Sequence, residues 1–198
     1  MSSSTPTVEP PLVAVLAAGT ARRFGGGKLD APCAGKPLGR WALEAVRQAE
    51  LPAGLIICGP DGAAFADGAG WELLPNPTAD QGLGTSLALA ACTALARDAR
   101  ALLVLLADMP LVEAEFLKKM AAATPPAATC YPDGDVGVPA LIGHAQLPAL
   151  AELKGDHGAA PLLALMEGLT VLAPPEGMLR DVDRPEDLAE VERQLSAR

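Results

Sequence analysis

The chain has 198 residues, of which half are hydrophobic but only 3% aromatic, and its formal net charge is −9 at pH 7. A chain of this length can bury a substantial core, which here must be built from Ala, Leu and Val. The acidic balance excludes a non-specific nucleic-acid-binding protein, because such proteins neutralise phosphates with clustered Lys and Arg. The four cysteines are widely separated and form no CxxC pair, which indicates reduced thiols and not a zinc site.

The first eleven residues are polar and proline-rich, with no basic segment before the apolar run that follows. This pattern predicts a flexible leader over residues 1–11 and not a signal peptide. No apolar stretch approaches the length needed to span a membrane. We therefore expect a cytoplasmic protein that has no membrane partner and folds as a single domain over residues 12–198.

Short apolar runs alternate with helical patterns along this domain. In chain order, we predict a strand at 12–17, a helix at 38–49, strands at 55–58 and 71–74, a helix at 85–97, a strand at 101–107, a helix at 113–123, a strand at 128–131, and helices at 161–167 and 185–195. The Gly- and Pro-rich segment 132–158 breaks the alternation and is predicted to be an inserted hairpin and lid. The fold class that follows is α/β, a three-layer, mostly parallel Rossmann-like sheet with helices on both faces.

The loop after the first strand, residues 16–28, combines four glycines with three cations. Glycine lets backbone N–H groups approach phosphate oxygens closely, and ligands of open α/β sheets bind at the carboxyl ends of strands. Arg23 can place its planar guanidinium on phosphate oxygens, and Lys28 adds a compact charge. Leu29 stands where a Walker loop needs Ser or Thr, and the GxGxxG pattern is absent. The alternative is a surface turn with incidental basic residues.

Asp108 directly follows the strongest predicted strand, 101–107. A carboxylate that faces a phosphate-binding loop suits Mg²⁺, which takes one or two carboxylates together with substrate phosphates. The alternative is that Asp108 caps a helix that begins at residue 111 or 112. Asp181 and Asp183 precede the last predicted helix, where they could also form a charge cluster favoured by the helix dipole.

A polar loop opens the helix predicted at 85–97, and the dipole of that helix favours an anion or a base edge. Its polar and small residues are Asn76, Gln81, Gly82, Gly84, Thr85 and Ser86.

The ordered set of motifs resembles a known family, the nucleotidyltransferases that act on molybdenum cofactor, within the wider group of nucleoside-diphosphate-sugar pyrophosphorylases. The resemblance extends from residue 12 to residue 188. Its first and most specific motif is LAAGxxxRFGxxK at 16–28, and the others are Pro37-Leu38, Gly-x-x-x-Ser-Leu at 82–87, Asp-Met-Pro at 108–110, Gly-x-Pro at 137–139, Gly-Asp-His-Gly-Ala at 155–159 and Asp-Val-Asp-x-Pro-Glu-Asp at 181–187. LAAG, RFGG, the Ser-Leu turn and GDxGA are similar to the cytidylyltransferase branch.

The resemblance implies a Mg²⁺-dependent enzyme that transfers CMP from CTP to the phosphate of molybdopterin and releases pyrophosphate, with a molybdoenzyme receiving the product. It implies catalytic roles for Arg23, Lys28 and Asp108, and metal binding by Asp108 and Asp183. The implied nucleotide-binding residues are Leu16, Ala17, Ala18, Gly19, Gly25, Lys28, Asn76, Gly82, Thr85 and Ser86, and the implied acceptor-binding residues are Gly137, Pro139, Asp156 and His157. His157 could equally be exposed on the lid.

Three positions depart from the family pattern: Ala21 replaces Ser, Ala160 replaces Arg after Gly158-Ala159, and Arg184 replaces Thr. The first two changes remove donors for phosphate or substrate. Two alternatives therefore stay open. One is a nucleotidyltransferase for a sugar phosphate or polyol phosphate, and the other is a non-catalytic, nucleotide-binding cofactor-insertion protein.

Overall fold

A seven-stranded sheet organises the part of the chain that the computed structural model describes, which is residues 9–19, 21, 23–156 and 158–196. The strands are β1 Leu12–Ala17, β2 Pro32–Cys33, β3 Lys36–Pro37, β4 Leu55–Cys58, β5 Glu72–Pro75, β6 Ala101–Leu106, β7 Ala127–Cys130, β8 Val136–Gly143 and β9 Thr170–Leu172. The helices are α1 Arg40–Gln48, α2 Leu83–Ala96, α3 Ala114–Ala122, α4 Leu147–Ala151, α5 Ala160–Ala164 and α6 Pro185–Ser196. The main sheet has the order β5-β4-β1-β6-β8-β7-β9, and β2 pairs with β3 separately.

The strands of the sheet are mostly parallel. β1 runs parallel to both β4 and β6, β4 to β5, and β7 to β9, whereas β8 runs antiparallel to β6 and β7. The carboxyl ends of β5, β4, β1 and β6 therefore meet at one edge of the sheet, and the amino end of β8 joins them there. The predicted fold class is confirmed.

Two apolar clusters cover the two faces of the sheet. Alternate residues of β1 point to opposite clusters: Val13 and Val15 to the α1 and α3 face, Ala14 and Leu16 to the α2 face. Buried alanines of α2 give this helix a flat surface that can pack closely on the sheet. Helix, sheet and helix thus form the three predicted layers, built mainly from Ala, Leu and Val.

A third, smaller cluster joins the glycine-rich loop to the C-terminal helix. Phe24 of the loop packs with Leu38, Leu111, Val182 of the segment before α6, and Val191 of α6 itself. The cluster anchors the two segments that carry Lys28 and Asp183.

The segment 132–158 differs from its prediction as an insertion. Its strand β8 forms a hairpin with β7, but that hairpin lies inside the main sheet, where β8 is the neighbour of β6. Proline lacks a backbone donor and rarely sits in a central strand. Here the register shifts between Ala128 and Thr129 of β7, and the Thr129 hydroxyl donates to the Pro139 carbonyl oxygen at 2.6 Å. This local irregularity accommodates Pro139, one of the residues that led to the prediction of an insertion here.

Two expectations concern residues outside the described ranges. Residues 1–8 of the leader predicted at 1–11 lie outside the described residues, as does His157. In the described part of the chain, no helix combines the length and apolar character that crossing a bilayer requires.

Candidate active site

Lys28 lies at the carboxyl edge of the sheet, in a short 3-10 helix at Lys28–Asp30. It is only 8% exposed. Its Nζ lies 2.6 Å from Oδ2 of Asp108 and 3.8 Å from Oδ1 of Asp183. A lysine is rarely buried without partners, and the two carboxylates supply them. The site thus centres on one ammonium between two carboxylates.

Asp108 comes two residues after the end of β6. Helix α3 begins at Ala114, so the alternative that Asp108 caps a helix starting at 111 or 112 is wrong. Its carboxylate contacts Lys28 instead, and its carbonyl oxygen accepts the N–H of Val182 at 3.0 Å. That backbone bond fixes the neighbouring Asp183 beside the loop.

The acidic residues before and within α6 divide into two roles. Oδ2 of Asp187 accepts the N–H groups of Asp183 at 3.0 Å and Arg184 at 2.7 Å, so Asp187 satisfies free backbone donors at the helix start. The carboxylate of Asp183 turns the other way, and its Oδ2 lies 3.0 Å from Nη1 of Arg23. Because the Arg23 side chain is 74% exposed, this pair adds little stability. This weak ion pair with Asp183 leaves Arg23 free to move towards a ligand.

Desolvation and the carboxylates of this site raise the pKa values of Asp181 and Tyr131. Asp181 is exposed, but its neighbours partly desolvate it, and this effect together with the nearby carboxylates of Asp108 and Asp183 raises its pKa. The pKa of Tyr131 is also raised, first by burial and then by Asp181, Asp108 and Asp133. Tyr131 therefore keeps its proton, and its hydroxyl donates to the Val138 carbonyl oxygen at 2.8 Å.

Tyr131 was missed in the sequence reasoning. One signal could have found it: it is the sole tyrosine of the sequence and follows a strand that ends at the same edge as Asp108.

The donor set at Lys28 fits a magnesium ion. Asp108 and Asp183 both reach the same ammonium, so both carboxylates face one small region. Among the described residues, no group of three or more His, Cys, Asp or Glu side chains forms a complete metal site. This is the expected arrangement for an ion that takes one or two carboxylates and draws its other ligands from phosphates and water.

A cavity of about 350 Å³, here called the central cavity, opens beside Asp108. It brings together four parts of the chain that are far apart in sequence: the end of β1, the start of α2, the end of β6 and residue 156. Its lining residues include Leu16, Ala18, Gly19, Gly82, Ser86, Asp108 and Asp156 from the predicted site, together with Ala79, Asp80, Leu83 and Leu106. The sequence reasoning missed these last four.

A second cavity of about 510 Å³, the loop cavity, adjoins the central cavity on the β4 side. Ala17 and Lys28 line it, and the residues 59–62 after β4 close its far side. The two cavities share Ala18 and Gly19, so they form one continuous depression along the sheet edge. Gly25 does not line either cavity. With φ of 91°, it belongs to a turn in which its N–H donates to the Ala21 carbonyl oxygen at 3.1 Å.

Asn76 holds the loop before α2 in shape through the hydrogen bonds of its buried side chain. It is 2% exposed, and its amide donates to Oγ1 of Thr85 at 2.9 Å and to Oγ of Ser86 at 3.0 Å. Its Oδ1 accepts the N–H and the hydroxyl of Thr78 at 3.0 and 2.9 Å. The Thr85 hydroxyl donates to the Gly82 carbonyl oxygen at 2.8 Å. Of the predicted nucleotide-binding residues here, Gly82 and Ser86 line the central cavity, whereas Asn76 and Thr85 hold the loop in shape.

Gly82 allows the 155–156 loop to lie against the start of α2. Its φ is 117°, and a Cβ at this position would lie 2.3 Å from Oδ1 of Asp156 and 2.5 Å from the backbone of Gly155. The N–H of Gly84 donates to the Gly155 carbonyl oxygen at 2.9 Å. This packing puts Asp156, predicted for the acceptor, into the same cavity as the predicted nucleotide-binding residues.

A third cavity of about 270 Å³, the hairpin cavity, lies on the other side of the central cavity, beside the turn between β7 and β8. Gly137 lines it and contacts the ring of Tyr131. Pro139 is buried behind the cavity and does not line it. Of the predicted acceptor residues, the structure thus places Gly137 and Asp156 at cavities and Pro139 in the sheet.

Comparison with known proteins identifies the family of the chain. The model of a family described as the MobA-like NTP transferase domain matches residues 13–171. The purine catabolism protein PucB of Bacillus subtilis is 30% identical over an alignment of 195 residues, which covers 91% of this chain and 95% of that relative.

Solved structures show the same fold. A nucleotidyl transferase from Methanothermobacter thermautotroptrophicus matches with a TM-score of 0.80 and 21% identity, covering 96% of this chain and all of the other. Rv0371c from Mycobacterium tuberculosis matches with a TM-score of 0.74 and 26% identity, covering 92% and 98% of the two chains. A crystal structure of Rv0371c has also been determined as a complex with manganese.

Proposed function

The chain belongs to the MobA-like NTP transferase family of nucleotidyltransferases, and from this premise we propose that it transfers CMP from CTP to the phosphate of a molybdopterin-like acceptor and releases pyrophosphate. The proposal is carried by one observation: Lys28 is buried between Asp108 and Asp183, at the sheet edge where the loop and central cavities meet. A buried cation beside two carboxylates suits a triphosphate that arrives with a divalent ion.

In the proposed reaction, an oxygen of the acceptor phosphate attacks the α-phosphorus of the nucleotide. A new P–O bond forms there, the bond to the bridging oxygen of the β-phosphate breaks, and pyrophosphate leaves. The attacking phosphate is already anionic at neutral pH, so the site needs no strong general base. Its task is to align the two substrates and to stabilise the developing charge, which Lys28 and Arg23 do as fixed and mobile cations.

Asp108 and Asp183 are the residues that would hold the divalent ion, and the bound ion would offset the negative charge of the phosphate oxygens. The remaining residues shape the site. Gly19 exposes backbone at the end of β1, and Ser86 offers a hydroxyl at the start of α2. Asn76 acts by positioning Ser86 and Thr85.

Support for CTP comes from the sequence of the loop. LAAG at 16–19 and RFGG at 23–26 resemble the cytidylyltransferase branch. The name of PucB identifies neither a nucleotide nor an acceptor, because it describes that relative by its part in purine catabolism. The choice of CTP and of a molybdopterin-like acceptor is therefore the part of the proposal that experiment must test first.

The test is pyrophosphate release with Mg²⁺ and each of CTP, GTP, UTP and ATP, with molybdopterin, with a sugar phosphate, and without acceptor. We expect release with CTP and molybdopterin together and little with the other pairs. Pyrophosphate release with a sugar phosphate instead would identify a sugar phosphate as the acceptor and contradict the molybdopterin-like one. Tight CTP binding without release under any condition would contradict catalysis and favour a nucleotide-binding insertion protein.

A further inference from the structure

A cavity of about 350 Å³, here called the outer cavity, lies on the α1 side of the sheet, apart from the candidate active site. One wall is a single face of α1, because Arg40, Leu43, Glu44 and Arg47 are spaced three or four residues apart. The segment 68–71 forms the other wall. The outer cavity shares no lining residue with the central, loop or hairpin cavities. It is therefore a separate candidate for a binding site.

The floor of the outer cavity is apolar. Leu43 and Val46 of α1 are 3% and 1% exposed, and the half-buried Trp71 packs against the same core. Gly68 and Ala69 on the opposite wall have small side chains that leave the space open. The volume lies in the range of small-molecule sites, which is about 300–1,000 Å³. A ligand with a flat, apolar body can be buried here against the aromatic ring.

Arg40 supplies the outer cavity with a cation held in a fixed position. Its Nη1 donates to the carbonyl oxygens of Phe65 at 3.1 Å and Asp67 at 2.9 Å. Its Nε and Nη2 donate to no group in the part of the chain that the structure describes. Nε and Nη2 of one guanidinium form a planar pair of donors that fits the two oxygens of a carboxylate. Arg40 is thus already arranged to receive a carboxylate.

The side chains that line the outer cavity carry a net positive charge, from two arginines and one glutamate. Arg47 is paired: its Nε lies 3.2 and 3.1 Å from the two carboxylate oxygens of Glu44, and its Nη2 donates to the same group. These hydrogen bonds lower the pKa of Glu44, so its carboxylate stays charged at neutral pH. No other carboxylate among the described lining residues matches the charge of Arg40. The cavity therefore favours a ligand with a single negative charge.

We propose that the outer cavity is a second binding site of this protein, and that its ligand is a small monocarboxylic acid with a flat, apolar body, such as an aromatic acid. The carboxylate lies on Nε and Nη2 of Arg40, and the ring lies on Leu43 and Trp71. Because Ala53 and Trp71 precede β4 and β5, the cavity reaches the amino ends of these strands, at the sheet edge opposite to Lys28. The inference does not depend on the proposed transfer reaction.

The experiment is a calorimetric titration of the full chain with 2-naphthoate, and with 2-naphthamide as an uncharged probe of similar shape. It is run on the wild type, on Arg40→Gln, on Glu44→Gln and on a control, Arg97→Gln. Arg97 is an exposed cation that pairs with Glu72 and does not line the cavity. Glu44→Gln keeps the size of the side chain but removes the carboxylate that occupies Arg47.

We expect the wild type and Arg97→Gln to bind 2-naphthoate alike, and Arg40→Gln to bind it roughly tenfold more weakly, because a charge-assisted hydrogen bond is lost. Glu44→Gln should bind it roughly threefold more tightly, because Arg47 then has no competing carboxylate in an exposed ion pair. The affinity for 2-naphthamide should be the same in all four proteins.

The position of the bound acid is read from the two indole N–H signals in an NMR spectrum, because the chain has two tryptophans. Trp71 lines the outer cavity, whereas Trp41 does not and donates its indole N–H to the Cys33 carbonyl oxygen. We expect 2-naphthoate to shift the Trp71 signal and to leave the Trp41 signal in place. The variant Trp71→Phe assigns the two signals.

The inference would be overturned if the wild type did not bind 2-naphthoate, if Arg40→Gln and Arg97→Gln had equal affinities, or if only the Trp41 signal moved. Displacement of 2-naphthoate by CTP with Mg²⁺ would also overturn it, since the acid would then occupy the proposed reaction site. Should Arg40→Gln fail to fold because two carbonyl groups lose their donor, Glu44→Gln still decides: an affinity equal to that of the wild type contradicts the site.

Discussion

Lys28 is the residue on which the proposed chemistry depends most directly. It is buried, and its ammonium is shared between Asp108 and Asp183. When a triphosphate enters, the same ammonium can exchange a carboxylate for phosphate oxygens without moving into water. A charge-assisted hydrogen bond at such a site contributes about 1.5–3 kcal/mol.

We expect Lys28→Met to lower kcat/KM for CTP by roughly ten- to a hundredfold, because that free energy is lost from the transition state. Steady-state pyrophosphate release measures the effect. Lys119→Met is the matched control, since it removes an exposed lysine from α3. If the two variants were equally active, Lys28 would have no place in catalysis. Circular dichroism of both variants separates lost chemistry from lost folding.

Asp183 has two roles, and its mutation should therefore affect CTP binding in opposite directions with and without metal. Without metal, it holds Arg23 and approaches Lys28, so it competes with a triphosphate for both cations. With metal, it is proposed to be a ligand. Asp183→Asn should therefore tighten CTP binding in EDTA by roughly two- to fivefold, the worth of an exposed ion pair, and should reduce the gain that Mg²⁺ gives.

Calorimetric titration of CTP in EDTA and in Mg²⁺ checks this expectation, with Glu186→Gln as a control that removes a neighbouring exposed charge. A Mg²⁺ gain that matched the wild type would exclude Asp183 as a metal ligand. Weaker binding in EDTA would show that Asp183 does not compete for the cations.

The residues also show where sequence reasoning has its limits. Lys28 and Asp108 could be predicted, because a cation in a glycine-rich loop and a carboxylate directly after a buried strand both indicate a site at the sheet edge. The local pattern alone did not distinguish Asp183 from Asp187, because both precede or open the same helix and both suit its dipole, so the assignment of Asp183 rested on the family resemblance. Only the direction of each carboxylate separates them: Asp187 turns to the backbone of α6 and Asp183 to Arg23.

At the scale of elements, the start of α2 is the most constrained part of the site. Gly82 has φ of 117° and lies directly under the backbone of Gly155 and the carboxylate of Asp156. Backbone atoms cannot move aside as the end of a flexible side chain can. The close approach of these two segments sets the width of the central cavity.

We expect Gly82→Ala to destabilise the fold by about 1–3 kcal/mol, through steric overlap and backbone strain, and to weaken CTP binding because the segments that line the central cavity are pushed apart. Urea denaturation and CTP titration measure the two effects. Gly134→Ala is the control, since Gly134 has φ of 91° but a Cβ added there would meet nothing within 4 Å. Equal destabilisation in both variants would mean that strain alone, and not contact with the 155–156 loop, matters at Gly82.

The strands β1, β4 and β6 were predictable because their sequences are continuously apolar, and all three are buried in the centre of the sheet. The place of β8 was not predictable. Its Gly137 and Pro139 favour a loop, and only the irregular register of β7 and the hydroxyl of Thr129 make a central position tolerable. Pairing partners that lie in another strand leave no trace in the local pattern.

At the scale of the whole molecule, the chain carries a net charge of −9 yet is proposed to bind a polyanion. Long-range attraction therefore cannot bring the nucleotide to the site, and binding must depend on the local cations and on the divalent ion. Mg²⁺ should matter more for affinity here than in a basic protein, because the carboxylates of Asp80, Asp108 and Asp156 all line the central cavity.

This dependence can be measured as a change in thermal stability. A ligand present at a hundred times its dissociation constant stabilises the folded state by about 2.7 kcal/mol. For a domain of this size, 1 kcal/mol raises Tm by about 2–4 °C, so saturating CTP with Mg²⁺ should raise Tm by about 5–11 °C. CTP in EDTA and Mg²⁺ alone should each give a much smaller shift. A full shift from CTP in EDTA would show that the cations of the loop suffice without the ion, and a full shift that survived Lys28→Met would place the nucleotide elsewhere on the molecule.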